Sequence, residues 1–106
     1  MYRVLFHRNA NKKFRKILRG DRTYAEKIAE EIKGLKKNPH PANSSSLAFN
    51  LHKLRIGDYR VIYSIVDTDN AIVIGKIARR SESTYKDLES IARRTVSVLK
   101  KKRKNK

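Results

Sequence analysis

His-Lys-Leu-Arg-Ile-Gly-Asp-Tyr-Arg-Val-Ile-Tyr, residues 52–63, is the stretch that decides the fold. Gly57-Asp58 reads as a two-residue hairpin turn, with glycine where positive φ is needed, and the flanking residues alternate in polarity as strand residues do. With 57 and 58 as the turn, residue 56 lies opposite 59, 55 opposite 60, 54 opposite 61 and 53 opposite 62. Opposed residues share a face of the sheet, and successive residues alternate between faces. One face then carries His52, Leu54, Ile56, Tyr59, Val61, Tyr63 and Ile65, a core. The other carries Leu51, Lys53, Arg55, Arg60 and Ile62. Arg55 directly across from Arg60 is unfavourable by a few tenths of a kcal/mol up to about 1. Either both side chains reach into water or pair with Asp58 or Glu82, or an anion lies against them. No acid occurs between residues 40 and 57, which favours the anion.

Working outward, strands are predicted at about 48–56, 59–66 and 71–79, with Asp67-Thr68-Asp69-Asn70 as the second turn. That turn sets Gly75 opposite Ile62 and Ile77 opposite Arg60, and brings Arg79 onto the cationic face. A slip of one residue would send the third strand's set to the other face. Upstream, residues 2–7 alternate like a strand. Asn9 or Asn11 caps a short helix with Ala10, Phe14, Ile17 and Leu18 on its apolar side, ending at Gly20. Thr23 and Glu26 form a capping-box pattern for a second helix, in which Ala25, Ile28, Ile32 and Leu35 repeat at helical spacing. Asn38-Pro39 ends it, since a residue before proline avoids the helical region. Residues 40–46 read as a loop, with Ser44-Ser45-Ser46 a flexible part of it. A last helix runs from about Thr84 to Lys100 with Tyr85, Leu88, Ile91, Ala92 and Leu99 on its apolar side, although its Thr95-Val96-Ser97-Val98 stretch is β-branched.

The order β-α-α-β-β-β-α predicts an α+β fold. It has one twisted, mostly antiparallel sheet of about four strands, two N-terminal helices packed on one face, and a C-terminal helix. Residues 1–92 form the expected domain, and 93–106 a basic helix end and tail, partly disordered.

The chain's 106 residues suit a single modest core. A net charge of +17 with 39% hydrophobic residues describes a folded polyanion binder or the partner of an acidic protein. Eight bases fall after residue 92 (Arg93, Arg94, Lys100, Lys101, Lys102, Arg103, Lys104 and Lys106), and no acid follows Glu89, yet the body without them is still strongly positive. No apolar run approaches the roughly 20 residues that span a bilayer. The first residues lack a signal-peptide core, so a cytoplasmic protein with no membrane association is expected. Cysteine is absent, which excludes disulfides and thiolate metal sites.

His7, His40 and His52 are scattered without ligand spacing, and no paired-carboxylate, phosphate-loop or nucleophile-elbow pattern occurs. No metal or cofactor is therefore expected. One reaction suits Lys, Arg and Tyr alone, the transesterification of RNA. Attack of a ribose 2′-OH on the adjacent phosphate needs a base, a protonated leaving 5′-oxygen, and stabilisation of the phosphorane. Arginines hold phosphoryl oxygens in bidentate fashion, and a lysine among other cations becomes a feasible base. Lys53, Arg60, Arg79 and Tyr85 are the candidate catalytic residues. Arg55, Arg80 and Lys76 are the candidate RNA-binding residues. The same residues would equally suit binding without chemistry.

Residues 54–63, Leu-Arg-Ile-Gly-Asp-Tyr-Arg-Val-Ile-Tyr, and 72–85, Ile-Val-Ile-Gly-Lys-Ile-Ala-Arg-Arg-Ser-Glu-Ser-Thr-Tyr, resemble the RelE branch of the RelE/ParE toxin superfamily. The likeness extends over about residues 2–90. It implies the toxin of a type II toxin–antitoxin pair, an endoribonuclease that enters the ribosomal A site and cleaves mRNA by 2′-OH attack without metal. Its partners would be the ribosome, mRNA and a small acidic, RelB-like antitoxin, the last in a hetero-oligomer. By motif position, Lys53 matches a lysine of the active face, Arg60 the arginine of the Tyr-Arg pair, Arg79 a phosphate-binding arginine, and Tyr85 a tyrosine that stacks on a base. The chain departs from the pattern at Leu51, where the resemblance implies a second lysine acting as base, and in its basic C-terminal extension. Two other readings stay open: a ParE-like toxin that inhibits DNA gyrase, and a non-catalytic basic nucleic-acid binder.

Overall fold

The computed structural model describes residues 1–82 and 85–104. Strand β1 (Arg3–Phe6) leads into helix α1 (Arg8–Gly20) and helix α2 (Arg22–Gly34). Strands β2 (Ser44–Ser46), β3 (Leu51–Ile56), β4 (Tyr59–Val66) and β5 (Ala71–Arg79) follow, and helix α3 (Leu88–Lys104) closes the chain. The sheet runs β1-β5-β4-β3-β2, with β1 parallel to β5 and every other pair antiparallel. The α+β architecture is as expected, with five strands rather than about four. The extra strand is Ser44–Ser46, which pairs with Leu54, Lys53 and His52 instead of forming a flexible loop. Three consecutive serines carry no polarity alternation, so tertiary pairing decides their conformation. None of the described helices is long and apolar enough to cross a membrane.

Helix starts differ from the expected ones by a few residues. His7 caps α1, its Nδ1 accepting from the Asn9 amide at 3.2 Å, so neither Asn9 nor Asn11 is the cap. Asp21 caps α2 through the Tyr24 amide at 3.1 Å in place of Thr23. One acid thus ends α1 and begins α2, which folds the two helices back on each other and onto the sheet. Between them, Ala10, Ile17, Ala25, Ile28, Ile32 and Leu35 meet Leu54, Ile56, Tyr59, Val61, Tyr63, Ile72, Ile74 and Ile77 to form the main core.

Helix α3 covers part of the opposite face, where Ile91 packs on Leu51 and Ile62, and Leu99 packs on Ala71 and Val73. The β-branched stretch does not interrupt this helix. Thr95 is buried, and its hydroxyl donates to the Ala92 carbonyl at 2.7 Å, so its polar atom is satisfied inside the helix. The helix continues through Lys104, beyond the expected end near Lys100; the expectation of a disordered tail falls, for residues 105 and 106, outside the described residues.

The first hairpin keeps the expected register throughout, from Lys53↔Ile62 to Ile56↔Tyr59. The second does not. Ile62 faces Lys76 while the next residue, Tyr63, faces Ile74, so Gly75 is an extra residue bulged out of β5. A Cβ at Gly75 would stand 2.8 Å from Ile91 Cγ2 and 3.2 Å from Thr95 Cγ2. The glycine is what lets α3 descend to the sheet. Gly75→Ala is therefore expected to lift α3 and to cost about 1–3 kcal/mol through overpacking. Urea denaturation should show an earlier midpoint, and an unchanged midpoint would show that α3 does not depend on this close approach.

His52 lies half-buried, stacked on Tyr63 at 5.4 Å between centroids and edge-on to His40 at 5.2 Å. Burial, and secondarily the charge of His40, lower its pKa below the usual 6.5. The folded state thus favours neutral His52. The resulting stability is complete above about pH 6.5 and declines as the pH falls below that value toward the lower folded pKa, because the unfolded chain takes the proton first. His7 is shifted in the same direction. Thermal midpoints should drop between about pH 7.5 and 5.5, and the drop should be smaller in His52→Gln.

Candidate functional site

The cationic face is built on the tip of the β3–β4 hairpin, which α2 holds from behind. The Tyr24 hydroxyl accepts from the Asp58 amide at 2.6 Å and donates to the Ile56 carbonyl at 2.9 Å. Gly57 has φ of 55°, and a Cβ there would collide with the Tyr24 hydroxyl, so both backbone and space require glycine. The Tyr59 ring packs edge-on against Tyr24 at 5.0 Å. Nothing in the local sequence announces this clamp, since Tyr24 is 34 residues from Asp58.

Arg60 emerges from this tip. Its Nη1 donates to the carbonyls of Gly57 at 2.7 Å and Tyr59 at 2.9 Å, which fixes the guanidinium beside the turn. A guanidinium carries five N–H donors. Among the described residues, the Nε and Nη2 hydrogens of Arg60 meet no acceptor. Arg55 lies directly opposite and exposed, and its backbone is tied to Asn43, whose side-chain amide donates to the Arg55 carbonyl at 2.7 Å and to Glu31 at 3.1 Å. Further along the hairpin, Lys53, Ile62 and Lys76 form a row across β3, β4 and β5. The Lys53 ammonium sits 4.9 Å from the centre of the Tyr85 ring, which joins the start of the C-terminal segment to the hairpin. Lys53, Arg55, Arg60, Lys76 and Tyr85 are thus brought to one face.

Among the described residues neither Asp58 nor Glu82, the two acids that could have paired with Arg55 or Arg60, does so. Glu82 instead accepts from Lys13 Nζ at 3.1 Å and from the Arg79 amide at 3.2 Å. Burial would raise its pKa, but the Arg79 amide and the Lys13 ammonium outweigh this and lower it.

Arg79 does not lie on the cationic face. The Gly75 bulge moves the outer end of β5 by one residue, so Arg79 faces Tyr59 and Ala78 faces Arg60. The Arg79 guanidinium lies 5.3 Å from the Tyr59 ring centre, in a cleft of about 550 Å³ bounded by Lys13, Lys16, Ile17 and Asp21 on the α1 side of the sheet. Arg80, by contrast, is held next to the hairpin tip, its amide donating to the Asp58 carbonyl at 2.7 Å. Leu51 is wholly buried beneath Ile91. The position at which the resemblance implies a second lysine is here an anchor for α3. Among the described residues no group of three or more His, Cys, Asp or Glu could hold a metal ion.

Residues 4–84 match the family model described as ParE toxin of the type II toxin–antitoxin system. The chain belongs to the RelE/ParE toxin superfamily. A Methanocaldococcus jannaschii protein named as toxin RelE1 is 36% identical over 67 residues, which span 58% of this chain and 73% of that protein. The RelE–RelB complex of Pyrococcus horikoshii contains a chain 27% identical, with a TM-score of 0.64 over 77% of this chain and 98% of the other. The isolated E. coli RelE toxin has the same fold at 20% identity, with a TM-score of 0.65 over 88% of this chain and 98% of that one. The family match ends before α3, so the basic helix lies outside it.

The clamp on the hairpin tip has a measurable consequence. Tyr24→Phe strands the Asp58 amide and the Ile56 carbonyl at a partly buried turn, which should destabilise the protein by about 1–2 kcal/mol. Hydrogen exchange at Asp58 should accelerate beyond the global change in stability. Equal protection of that amide in wild type and variant would show that the hydroxyl does not hold the tip.

Proposed function

We propose that this toxin is a ribosome-dependent endoribonuclease that cleaves mRNA by 2′-OH attack, and that its site is the hairpin face of Lys53, Arg60 and Tyr85. The observation that carries the reading is the meeting of three groups on one open face. Arg60 has unused N–H donors beyond those bound to its own turn, Lys53 lies on the neighbouring strand, and Tyr85 presents its ring at 4.9 Å from that ammonium. In the reaction, the ribose 2′-oxygen attacks the neighbouring phosphorus, the bond to the 5′-oxygen breaks, and a 2′,3′-cyclic phosphate and a 5′-hydroxyl result. Arg60 stabilises the phosphorane oxygens, Lys53 in its neutral form accepts the 2′ proton, the departing 5′-oxygen takes a proton from solvent water, and Tyr85 stacks on a base of the message. Arg55, Lys76 and Arg80 hold flanking phosphates. Arg79 acts from the far side of the sheet end, where it can reach only RNA that wraps around the hairpin tip.

The partner that restrains such a toxin is a small acidic antitoxin. Its support is the like-folded chain of the Pyrococcus RelE–RelB complex together with the +17 charge of this one. A second reading is favoured by one specific finding, the match to a family model of ParE toxins. As a ParE-like inhibitor of DNA gyrase the chain would need neither Lys53 nor Arg60 for chemistry, and Leu51 would be no deficiency.

Arg60→Ala is expected to lower mRNA cleavage on programmed ribosomes by about 10²–10³-fold, the usual cost of one donor to a transition-state oxyanion. Arg79→Ala should cost much less than Arg60→Ala. Mapping the 5′ ends of mRNA after induction provides the measurement. Cuts within reading frames that persist undiminished in Arg60→Ala would sink the site assignment, and DNA damage with intact mRNA would select the gyrase reading.

A further inference from the structure

The charge of α3 has no place in the hairpin site, yet the fold concentrates it. Arg94, Ser97, Val98 and Lys101 recur at helical spacing on one side of α3. With Phe6, His7 and Arg8 from the junction of β1 and α1, the last three of these line a cleft of about 270 Å³. No acid is among the lining residues. Among the described residues, no hydrogen bond or ion pair engages the side chains of Arg8, Arg94 or Lys101. Arg94, Arg8 and Lys101 all lie close enough to His7 that, after burial, their charges depress its pKa. Mutual repulsion of this kind persists in a fold only where the cations are solvated or where an anion joins them.

The cleft is distinct from the hairpin site. The hairpin cations stand on β3 and β4, whereas the cleft lies at β1, beyond β5, on which α3 rests. We infer that the cleft between α3 and the β1–α1 junction is a second nucleic-acid contact, in which Arg8 and Lys101, with Arg94 one turn before Ser97 and Val98 on the same side of α3, hold backbone phosphates of RNA. An acidic protein fits less well. A protein interface usually centres on a large aromatic or apolar anchor; this cleft offers only the half-buried Phe6 and Val98, and the large exposed apolar residues Met1, Phe49, Tyr85 and Val96 lie outside it. A phosphate backbone needs cations alone. The site also explains why the basic residues lie on an ordered helix seated against the sheet, because seating α3 holds Arg94 and Lys101 opposite Arg8.

The experiment measures binding of a labelled single-stranded RNA of about 20 nucleotides to the full chain, by fluorescence anisotropy across a series of salt concentrations. It compares wild type, Arg8→Ala/Arg94→Ala/Lys101→Ala and Arg60→Ala. Removing one cation from a phosphate should lower the slope of log affinity against log salt by about 0.7. The triple variant should therefore show a slope smaller by about 2 and bind roughly ten- to fiftyfold more weakly near physiological salt. The weakening should appear in the Arg60→Ala background as well, which separates this surface from the hairpin site and from the proposed cleavage. Thermal melting reports whether the fold is kept, and a charge-reversing Arg8→Glu/Lys101→Glu variant supplies a second test. Poly-glutamate serves as the probe for an acidic protein. An unchanged RNA slope in folded triple and charge-reversed variants overturns the inference, whether or not poly-glutamate binding falls.

Discussion

The close approach of α3 to the sheet at Gly75 is the constraint on which the rest of the architecture turns. A two-faced sheet needs cover on both sides wherever its residues are apolar. Here α1 and α2 cover one face, whereas α3 covers only a diagonal of the other, through Ile91 on Leu51 and Ile62 and through Leu99 on Ala71 and Val73. The helix can sit that low because the residue beneath Ile91 and Thr95 has no side chain. The same residue is the bulge that shifts β5 by one position. A single glycine thus seats the last helix, sends Arg79 to the α1 side, and leaves Arg60 opposite the small Ala78. The remainder of the face, which carries Lys53, Arg55 and Arg60, is left open because α3 does not cover it.

Where the sequence was legible, local geometry governed. The register of β3 and β4 follows from Gly57-Asp58 alone, since a two-residue turn leaves no freedom in pairing, and every residue from Lys53 to Arg60 lies on the face that rule assigns. The second hairpin obeys no such rule. Its turn is a short 3₁₀ segment at Asp67–Asp69, the pairing next to it follows the expected register, and the departure enters only at Gly75. A glycine within a strand hints at a bulge, but only α3, which reaches the glycine through Ile91, explains why one is there. The serine strand was illegible for a different reason: nothing in Ser44–Ser46 prefers a strand until β3 offers its edge and Asn43 ties the two together. The site was therefore readable as a set of residue types, and unreadable in how the bulge distributes them between faces.

The electrostatic balance separates what the fold tolerates from what it uses. Among the described residues, two ion pairs, Arg22–Glu26 and Arg93–Glu89, are exposed helical pairs of a kind that adds about 0.2–0.5 kcal/mol each. A third, Lys13–Glu82, secures the segment after β5 against α1, and among the described residues Arg55 and Arg60 have no counter-ion. A chain of +17 that uses its acids in this way keeps its cations available to an external anion. Such a field accelerates encounter with a polyanion and weakens steeply with salt.

Leu51 ties the seating of the helix to the chemistry of the face. A lysine there would lie under Ile91 with its ammonium buried, or would force α3 off the sheet, because desolvating a charge costs far more than the packing gains. Seating α3 and placing a second lysine base at this position are therefore exclusive choices, and this chain has made the first. On the proposed reading, Arg60 on the hairpin would recognise phosphate, with Lys53 and Tyr85 beside it, and the seated helix adds a row of cations at Arg94 and Lys101. On that reading, grip on the nucleic acid would increase at the expense of proton transfer. On the same reading, the ribosome's own ordering of the message would have to supply more of the alignment, since the residues that would hold the phosphate outnumber those that could move a proton.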